Sequence, residues 1–296
     1  GLESRVVYLR KKHNTDIPLE VVDIRDYTAV ENILQKYNFA GIVHTAALKA
    51  VGESVEKPDE YKEVNFTATT ALLKLAQKHG IKKFLFSSTA AVYGSPDTME
   101  PCKENGPLAP ISPYGSTKLD AESKVTEFIN TPGNSGTSLR FFNVVGAAAP
   151  ELLDNSVENL VPIVLGKLNK GEAPTIFGTD YPTPDGTGLR DYIHVDDLAQ
   201  GHLLALQYLE DHPGTLTVNL GTGNPYSVLE MIAAFEKVSG KRIPYDLVGR
   251  RSGDLAEYYA NSDLAKTILG WQAKHGIKRM CEDTWRFYRQ IDSVQS

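Results

Sequence analysis

The sequence predicts an α/β protein built on a doubly wound parallel sheet. Short apolar runs alternate with segments of helical periodicity through the first half of its 296 residues, the order expected when helices cross between parallel strands. The composition, with 41% hydrophobic and 23% charged residues, is that of an ordinary globular protein. The chain is long enough for one large α/β domain or for two unequal ones.

The elements follow from these patterns in chain order. In the first half they are a strand at 19–23, a helix at 26–37, a strand at 41–44, a helix that ends at Gly80, a strand at 83–87, a helix that begins at Pro113 and a strand at 138–142. The second half has looser spacing, with loops notably at 178–188, a helix at 195–209, a strand at 217–220 and a terminal helix at 279–289. We therefore expect a first region at 1–145 and a second at 146–296, with some elements of the second returning to the first.

Charge and cysteine content exclude several classes of function. A net charge of −6 without a long basic block disfavours nucleic acid or an anionic membrane as the main partner. No apolar run approaches the roughly 18 residues of a spanning helix. Cys102 and Cys281 stand far apart without further ligands at metal-binding spacing, so no disulfide framework and no metal site is predicted. With no visible secretory signal, the expected location is the cytoplasm.

A candidate general base stands at Tyr114 in the segment Tyr114-Gly115-Ser116-Thr117-Lys118. On a helix, Tyr114 and Lys118 share a face, so the ammonium can stabilise a phenolate and lower the tyrosine's pKa. Thr89, at the end of the preceding strand, could hold the same alcohol. Spacing alone is weak evidence, because Tyr8 and Lys12 also stand four apart without other catalytic signals.

A second motif, Gly221-Thr222-Gly223, follows a strand and precedes a helix, which is the setting of a dinucleotide-binding turn. The third glycine is missing, and Ser227 with Glu230 forms the pattern of an N-terminal capping box. The structural interpretation is therefore preferred. Two histidines, His44 and His194, are likewise expected to be buried, hydrogen-bonded structural groups.

Longer blocks carry a resemblance to a known family. They are 44–54 (HTAALKAVGES), 87–94 (SSTAAVYG), 114–118 (YGSTK), 139–143 (LRFFN), 186–195 (GTGLRDYIHV), 250–254 (RRSGD) and 271–273 (WQA). The chain resembles an extended short-chain dehydrogenase/reductase and, within that superfamily, the UDP-glucose 4-epimerases. The resemblance runs essentially from end to end.

The resemblance implies NAD-dependent epimerisation at C4 of a UDP-hexose, which converts UDP-galactose to UDP-glucose. Hydride would pass to bound NAD, a 4-keto sugar would turn over, and hydride would return to the opposite face. By matching positions, Tyr114 would be the base, Lys118 would bind the nicotinamide ribose and Thr89 would bond the sugar hydroxyl. The residues matched to cofactor binding are Asp23, Ile24, Ala46, Ala47, Lys49, Asn65, Ser87, Tyr114, Lys118 and Phe142. Asp23, beside the adenine in this assignment, fits a simple turn cap equally well.

The UDP-sugar would be held by residues of both halves. Those matched to substrate binding are Lys49, Thr89, Tyr114, Asn143, Asn159, Leu160, Ile176, Phe177, Arg190, Tyr192, Arg251, Asp254 and Tyr258. Arg190 and Arg251 would clamp the diphosphate, because guanidinium makes bidentate contacts to phosphate. Asp254 would accept ribose hydroxyls, and a bulky Tyr258 would favour glucose and galactose over N-acetylated sugars.

The sequence departs from the family at its beginning. Family members open with a strand, a Gly-x-x-Gly-x-x-Gly turn, a helix and a second strand, whereas this sequence starts with Gly1 after all of them. We therefore expect the sequence to be an incomplete record of a longer protein. Region 1–145 is then an N-terminally incomplete, Rossmann-like NAD-binding domain that lacks a central strand, and region 146–296 is mainly UDP-sugar-binding.

Three other interpretations compete with the epimerase. A nucleotide-sugar dehydratase typically carries an Asp-Glu pair directly after its active-site Thr, where this chain has Ala90 and Ala91. A decarboxylase of the same superfamily and a truncated, non-catalytic binding module are the others. By resemblance alone, the protein is also expected to form a homodimer through helices of the first region.

Overall fold

The computed structural model describes residues 2–95, 100–154, 159–251 and 254–295. Ser252 and Gly253 of the 250–254 motif lie outside the described residues. The helices are α1 Leu2–His13, α2 Tyr27–Lys36, α3 Val51–Glu56, α4 Pro58–Tyr61, α5 Ala68–Lys78, α6 Pro113–Ile129, α7 Leu160–Lys170, α8 Val195–Asp211, α9 Val228–Ser239, α10 Asp263–Leu269 and α11 Ile277–Gln295. The strands are β1 Ile42–His44, β2 Lys83–Thr89, β3 Ser135–Phe141, β4 Asn143–Val145, β5 Thr175–Phe177, β6 Leu189–His194, β7 Thr215–Leu220, β8 Pro225–Ser227, β9 Asp246–Val248 and β10 Glu257–Tyr258.

The main sheet is parallel and has the strand order β1-β2-β3-β7. Helices cover it, and the apolar residues of β2 are buried on both faces, as a parallel sheet requires. The predicted α/β class is confirmed. β7 belongs to the second half of the chain, so an element of that half does return to the first sheet.

The strand predicted at 19–23 is wrong, because these residues are not in a strand and Val21 is 80% exposed. Within the described ranges, no strand pairs with the outer edge of β1. In the doubly wound order 3-2-1-4, two strands lie between the third strand and the fourth, so these two cannot pair directly. Residues 19–23 therefore have the apolar pattern of a strand, but no neighbouring strand among the described residues hydrogen-bonds with their backbone.

The helix that carries the candidate base begins as its sequence indicates. Ser112 caps α6 by accepting a hydrogen bond from the Gly115 N–H at 3.1 Å, and Pro113 occupies the first turn. The helix packs against β2, β3 and the 3₁₀ turn Ala90–Tyr93 that follows β2. This packing brings the start of α6 to the carboxyl end of β2.

The second half forms a smaller assembly beside the main sheet. β10, β6 and β4 lie side by side, β8 joins β6, and α9 and α11 pack together over a core that includes Met231, Phe235 and Met280. The expected capping box is present at α9, where Ser227 and Glu230 exchange hydrogen bonds. In the described part of the chain, no helix has the length and apolar character needed to cross a bilayer.

Candidate active site

A cavity of about 490 Å³ lies where the carboxyl ends of β2 and β3 meet β4. This is the edge at which open α/β sheets bind ligands. The residues predicted for the site that line it are Lys49, Thr89, Tyr114, Phe142, Asn143, Asn159 and Tyr258. Residues from 49 to 258 thus converge on one cavity, as a site shared by both halves requires.

Thr89 and Tyr114 face each other across this cavity. Thr89 ends β2 and caps the following 3₁₀ turn through the Ala91 N–H at 3.2 Å. Its side chain also hydrogen-bonds with the Tyr114 hydroxyl. The ring of Tyr114 packs edge-on against the ring of Tyr61, and the two ring centres are 6.5 Å apart. The two hydroxyls are therefore placed to engage the same alcohol.

Lys118 lies one turn further along α6 and is 3% exposed. Its ammonium stands 4.5 Å from the ring centre of Phe86, and burial lowers the pKa of Lys118 to about 7. Burial also raises the pKa of Tyr114, which only the Thr89 hydrogen bond opposes. The expectation that Lys118 lowers the pKa of Tyr114 stays a prediction.

The other residues predicted to bind the cofactor do not line this cavity. Asn65 is buried and bonds both the N–H and the C=O of Leu48, which fixes the loop after β1. The Ser87 hydroxyl lies 3.0 Å from Nε2 of His202. Ala46 is exposed, and Ala47 and Ile24 are half-buried. Asp23 closes a turn with Arg25, whose hydrogen bonds lower the pKa of this carboxyl to about 2.

A second group of predicted residues lies together in the smaller assembly. Asp254 accepts hydrogen bonds from Arg251 at 3.0 and 3.4 Å and stands 3.8 Å from the Arg190 guanidinium. The Arg251 guanidinium also lies 4.6 Å from the ring centre of Phe177. Two cations, one carboxylate and one aromatic ring are therefore adjacent, which suits a nucleoside diphosphate.

Tyr258 connects the two groups. It pairs with Arg190 in the β10–β6 register, and its hydroxyl donates to the carbonyl of Ala90, the residue after Thr89. Its ring also packs on Phe142 at 5.5 Å. The remaining predicted residues are buried or half-buried in the smaller assembly: Leu160 and Ile176 belong to its apolar core, and Tyr192 is 2% exposed.

The turn Gly221-Thr222-Gly223 is occupied by the protein itself. The buried carboxylate of Asp191 accepts hydrogen bonds from the Thr222 and Gly223 N–H groups at 2.8 and 3.0 Å. A Cβ at Gly221 would lie 2.5 Å from the same carboxylate. These backbone donors hold an internal anion, which confirms the structural interpretation.

The two histidines have structural partners. His44 is 4% exposed and lies 2.8 Å from the Thr69 hydroxyl. His194 caps α8, because its Nδ1 accepts the Asp196 N–H at 3.1 Å. Its Nε2 has no hydrogen bond among the described residues, although Asp283 lies 3.4 Å away.

Sequence reasoning missed a buried polar cluster beside the candidate catalytic residues. Arg140, the second-last residue of β3, binds Glu122 of α6 through two hydrogen bonds of 2.9 and 2.6 Å. Ser88 donates to the same carboxylate. The available signal was a charged residue in the apolar run 139–143, because a buried charge requires a partner.

Comparison with known proteins gives a consistent result. The model of the NAD dependent epimerase/dehydratase family matches residues 2–221. UDP-glucose 4-epimerase of Mus musculus is 45% identical over 285 residues, which cover 94% of this chain and 82% of the mouse protein. The enzyme of the same name from Bacillus subtilis (strain 168) is 45% identical over 282 residues, covering 92% of this chain and 82% of its own length.

Solved structures agree with the sequence relatives. A UDP-glucose-4-epimerase from Stenotrophomonas maltophila, with bound NAD and formylated UDP-arabinopyranose, superposes with a TM-score of 0.93 at 39% identity, covering 98% of this chain and 88% of that one. The UDP-glucose 4-epimerase of Bifidobacterium longum, in complex with NAD+ and UDP, gives a TM-score of 0.90 at 39% identity over 96% of this chain and 87% of its own.

Proposed function

This chain belongs to the NAD-dependent epimerase/dehydratase family, and we propose on that basis that it interconverts UDP-galactose and UDP-glucose by NAD-dependent epimerisation at C4. The observation that carries this function is the convergence of Thr89 and Tyr114 with Asn143, Asn159 and Tyr258 on one cavity. The Arg190, Arg251 and Asp254 group continues from Tyr258 along β10 and β6. One substrate can therefore present its sugar to the hydroxyls and its nucleotide to the arginines.

The residues around the cavity fit an NAD cofactor. The cavity lies at the carboxyl ends of parallel strands, and the buried Lys118 ammonium offers donors for ribose hydroxyls beside Tyr114. Lys49 lines the cavity, and Asn65 holds the loop that bears it. When bound, NAD supplies the hydride acceptor and donor, and its oxidised ring adds a positive charge that favours the Tyr114 phenolate.

Within this site, Tyr114 takes the proton of the sugar 4-hydroxyl and later returns it. Thr89, hydrogen-bonded to Tyr114, would orient the same hydroxyl for proton transfer to Tyr114. The Arg190 and Arg251 guanidiniums hold the diphosphate while the keto sugar turns over. Anchoring at the nucleotide permits both faces of the sugar to be presented in turn.

Dehydration at this site lacks its acid-base groups. Ala90 and Ala91 line the cavity directly after Thr89, and methyl groups cannot transfer protons. The intact Thr89–Tyr114 contact also disfavours a purely non-catalytic binding module. C4 epimerisation requires only one base and one hydroxyl, which the cavity contains.

The test is conversion of UDP-galactose by the purified protein, measured by coupling UDP-glucose formation to a UDP-glucose dehydrogenase. Tyr114→Phe should lower kcat by about 10²-fold or more, since it removes the proton-transfer group. Bound NAD, released by denaturation and measured by absorbance, should be unchanged in the variant. A Tyr114→Phe protein with near-normal kcat would show that the base is another residue.

We further propose a cytoplasmic homodimer. Helices α5 and α6 pack side by side in the first half, where family members are expected to pair. Cys102 and Cys281 are buried free thiols, which suits a reducing compartment. Light scattering should give twice the monomer mass, and fractionation of cells should place the activity in the soluble cytoplasmic fraction.

A further inference from the structure

The catalytic groups lie on two elements whose relative position is fixed by a buried ion pair. Thr89 ends β2, whereas Tyr114 and Lys118 belong to α6. Glu122, one turn after Lys118, receives Arg140 Nε at 2.9 Å and Nη2 at 2.6 Å, and the two side chains are only 8% and 5% exposed. Such a bidentate pair is directional as well as strong, so it restricts how α6 can shift on the sheet.

The same carboxylate is tied to the strand that carries Thr89. Ser88, the preceding residue, donates its hydroxyl to Glu122, and Ser88 stands opposite Arg140 in the β2–β3 register. One carboxylate therefore joins α6 to both central strands. The two residues joined here lie close to the catalytic groups: Ser88 directly precedes Thr89, and Glu122 lies one helical turn after Lys118.

The hydrogen bonds continue from Arg140 towards the substrate side. Arg140 Nη1 donates to the Tyr93 hydroxyl at 3.1 Å, and Tyr93 donates to Asn219 Oδ1 at 2.6 Å. The Asn219 amide then donates to the carbonyls of Cys102 at 2.8 Å and Asn261 at 3.2 Å. Asn261 follows Tyr258 by three residues, so the network joins α6 to the segment that directly follows β10.

We propose that Glu122 and Arg140 are positioning residues of the epimerase site, which hold α6 against β2 so that Tyr114 and Lys118 stay aligned with Thr89. The inference rests on the proposed function. Neither residue lines the cavity, so both act through the groups they hold. Misplacement of a reacting group by about 1 Å costs on the order of 10²-fold in rate, which makes such alignment valuable.

Glu122 also acts on Lys118 through its charge. Burial lowers the pKa of Lys118, and the Glu122 carboxylate opposes that fall. The other titratable or charged groups on elements packed around this part of α6 are His44 on β1, Tyr61 on α4, Tyr93 on the 3₁₀ turn, Arg140 on β3 and Tyr114 on α6 itself. Removing the Glu122 charge should therefore deprotonate Lys118 at a lower pH.

The test is the pH dependence of kcat in Glu122→Gln, with UDP-galactose as substrate. We expect kcat near pH 7 to fall by at least about tenfold, with KM changed by less than about threefold. The alkaline limb of the profile, where Lys118 loses its proton, should move to lower pH by about half a unit or more. Glu122→Asp, which keeps the charge, should retain the alkaline limb while losing kcat.

Glu127→Gln is the matched control, because it removes a carboxylate from the exposed face of the same helix, where Glu127 pairs with Lys124. It should leave kcat and the pH profile unchanged. If Glu122→Gln does not fold, Glu122→Leu with Arg140→Leu removes both charges and leaves neither unpaired. That folded double variant should show the same loss of kcat.

Normal kcat and an unshifted alkaline limb in Glu122→Gln, or full activity in the folded double variant, would overturn the inference. A wild-type protein that does not epimerise UDP-galactose would instead overturn the proposed function. The two failures are therefore distinguishable in one set of assays.

Discussion

Replacing Gly115 by alanine is expected to lower kcat while the protein stays folded. Gly115 follows Tyr114 in α6, at the point where the helix crosses the 3₁₀ turn after Thr89. A Cβ at this position would lie 2.6 Å from the Ala91 carbonyl oxygen and 3.0 Å from Pro110 Cβ. Since ordinary contacts of a Cβ begin at about 3.4 Å and 3.0 Å is a practical minimum, α6 must retreat by about 0.4 to 0.8 Å.

This retreat separates Tyr114 from Thr89, and a displacement approaching 1 Å lowers kcat by up to about 10²-fold. Stability should change by less, because alanine gains up to about 1 kcal/mol of helix propensity while overpacking costs about 1–3 kcal/mol. The net loss is therefore about 2 kcal/mol at most. Urea unfolding and the coupled UDP-galactose assay measure the two quantities on the same preparation.

Gly166→Ala in α7 is the matched control for Gly115→Ala. Apart from the helix's own backbone, no atom lies within 4 Å of the Cβ position at Gly166. The Gly166→Ala protein should therefore be more stable by up to about 1 kcal/mol, without any change in kcat. A Gly115→Ala protein that keeps kcat within about threefold of wild type, or that loses kcat only because it has unfolded, would contradict this prediction.

Two further predictions concern an arginine proposed to bind the diphosphate and a buried histidine. Arg251→Lys keeps the charge and loses the guanidinium fork, so KM for UDP-galactose should rise about tenfold at near-normal kcat. Arg250→Lys is the control: the Arg250 guanidinium binds Asp180, so this substitution should leave KM unchanged. Burial, reinforced by Lys118, lowers the pKa of His44 to about 3. Below about pH 6.5 the unfolded chain therefore binds a proton that the folded chain does not, and stability falls on acidification by up to about 1.4 kcal/mol per pH unit. His44→Leu should lose this part of the slope between about pH 7 and pH 5 in urea unfolding, and equal slopes in the two proteins would contradict it.

Local patterns predicted the elements whose partners lie within the described sheet. The strands at 41–44, 83–87 and 217–220 are found at β1, β2 and β7, because each has a neighbouring strand and a helix to cover it. Residues 19–23 have an equally apolar pattern but no neighbour to pair with, so they are not a strand. The predicted strand at 138–142 is β3 at 135–141, and Asn143 begins β4 in the other sheet. Composition cannot show that the chain passes from one sheet to another here, because the strands that pair with β3 and β4 determine which sheet each belongs to.

Spacing also does not determine chemistry, as two Tyr and Lys pairs show. Lys12 lies 5.4 Å from the ring centre of Tyr8 on α1, so the helical spacing brings that pair together as it does Tyr114 and Lys118. Lys12 is exposed, whereas Lys118 is buried beside the Glu122 carboxylate and its pKa falls to about 7. The sequence indicates such burial only indirectly, through Arg140. An arginine in an apolar strand needs a carboxylate as its partner, because an unpaired buried charge is costly. In this chain, Arg140 therefore distinguishes the surroundings of Lys118 from those of Lys12, which the four-residue spacing does not.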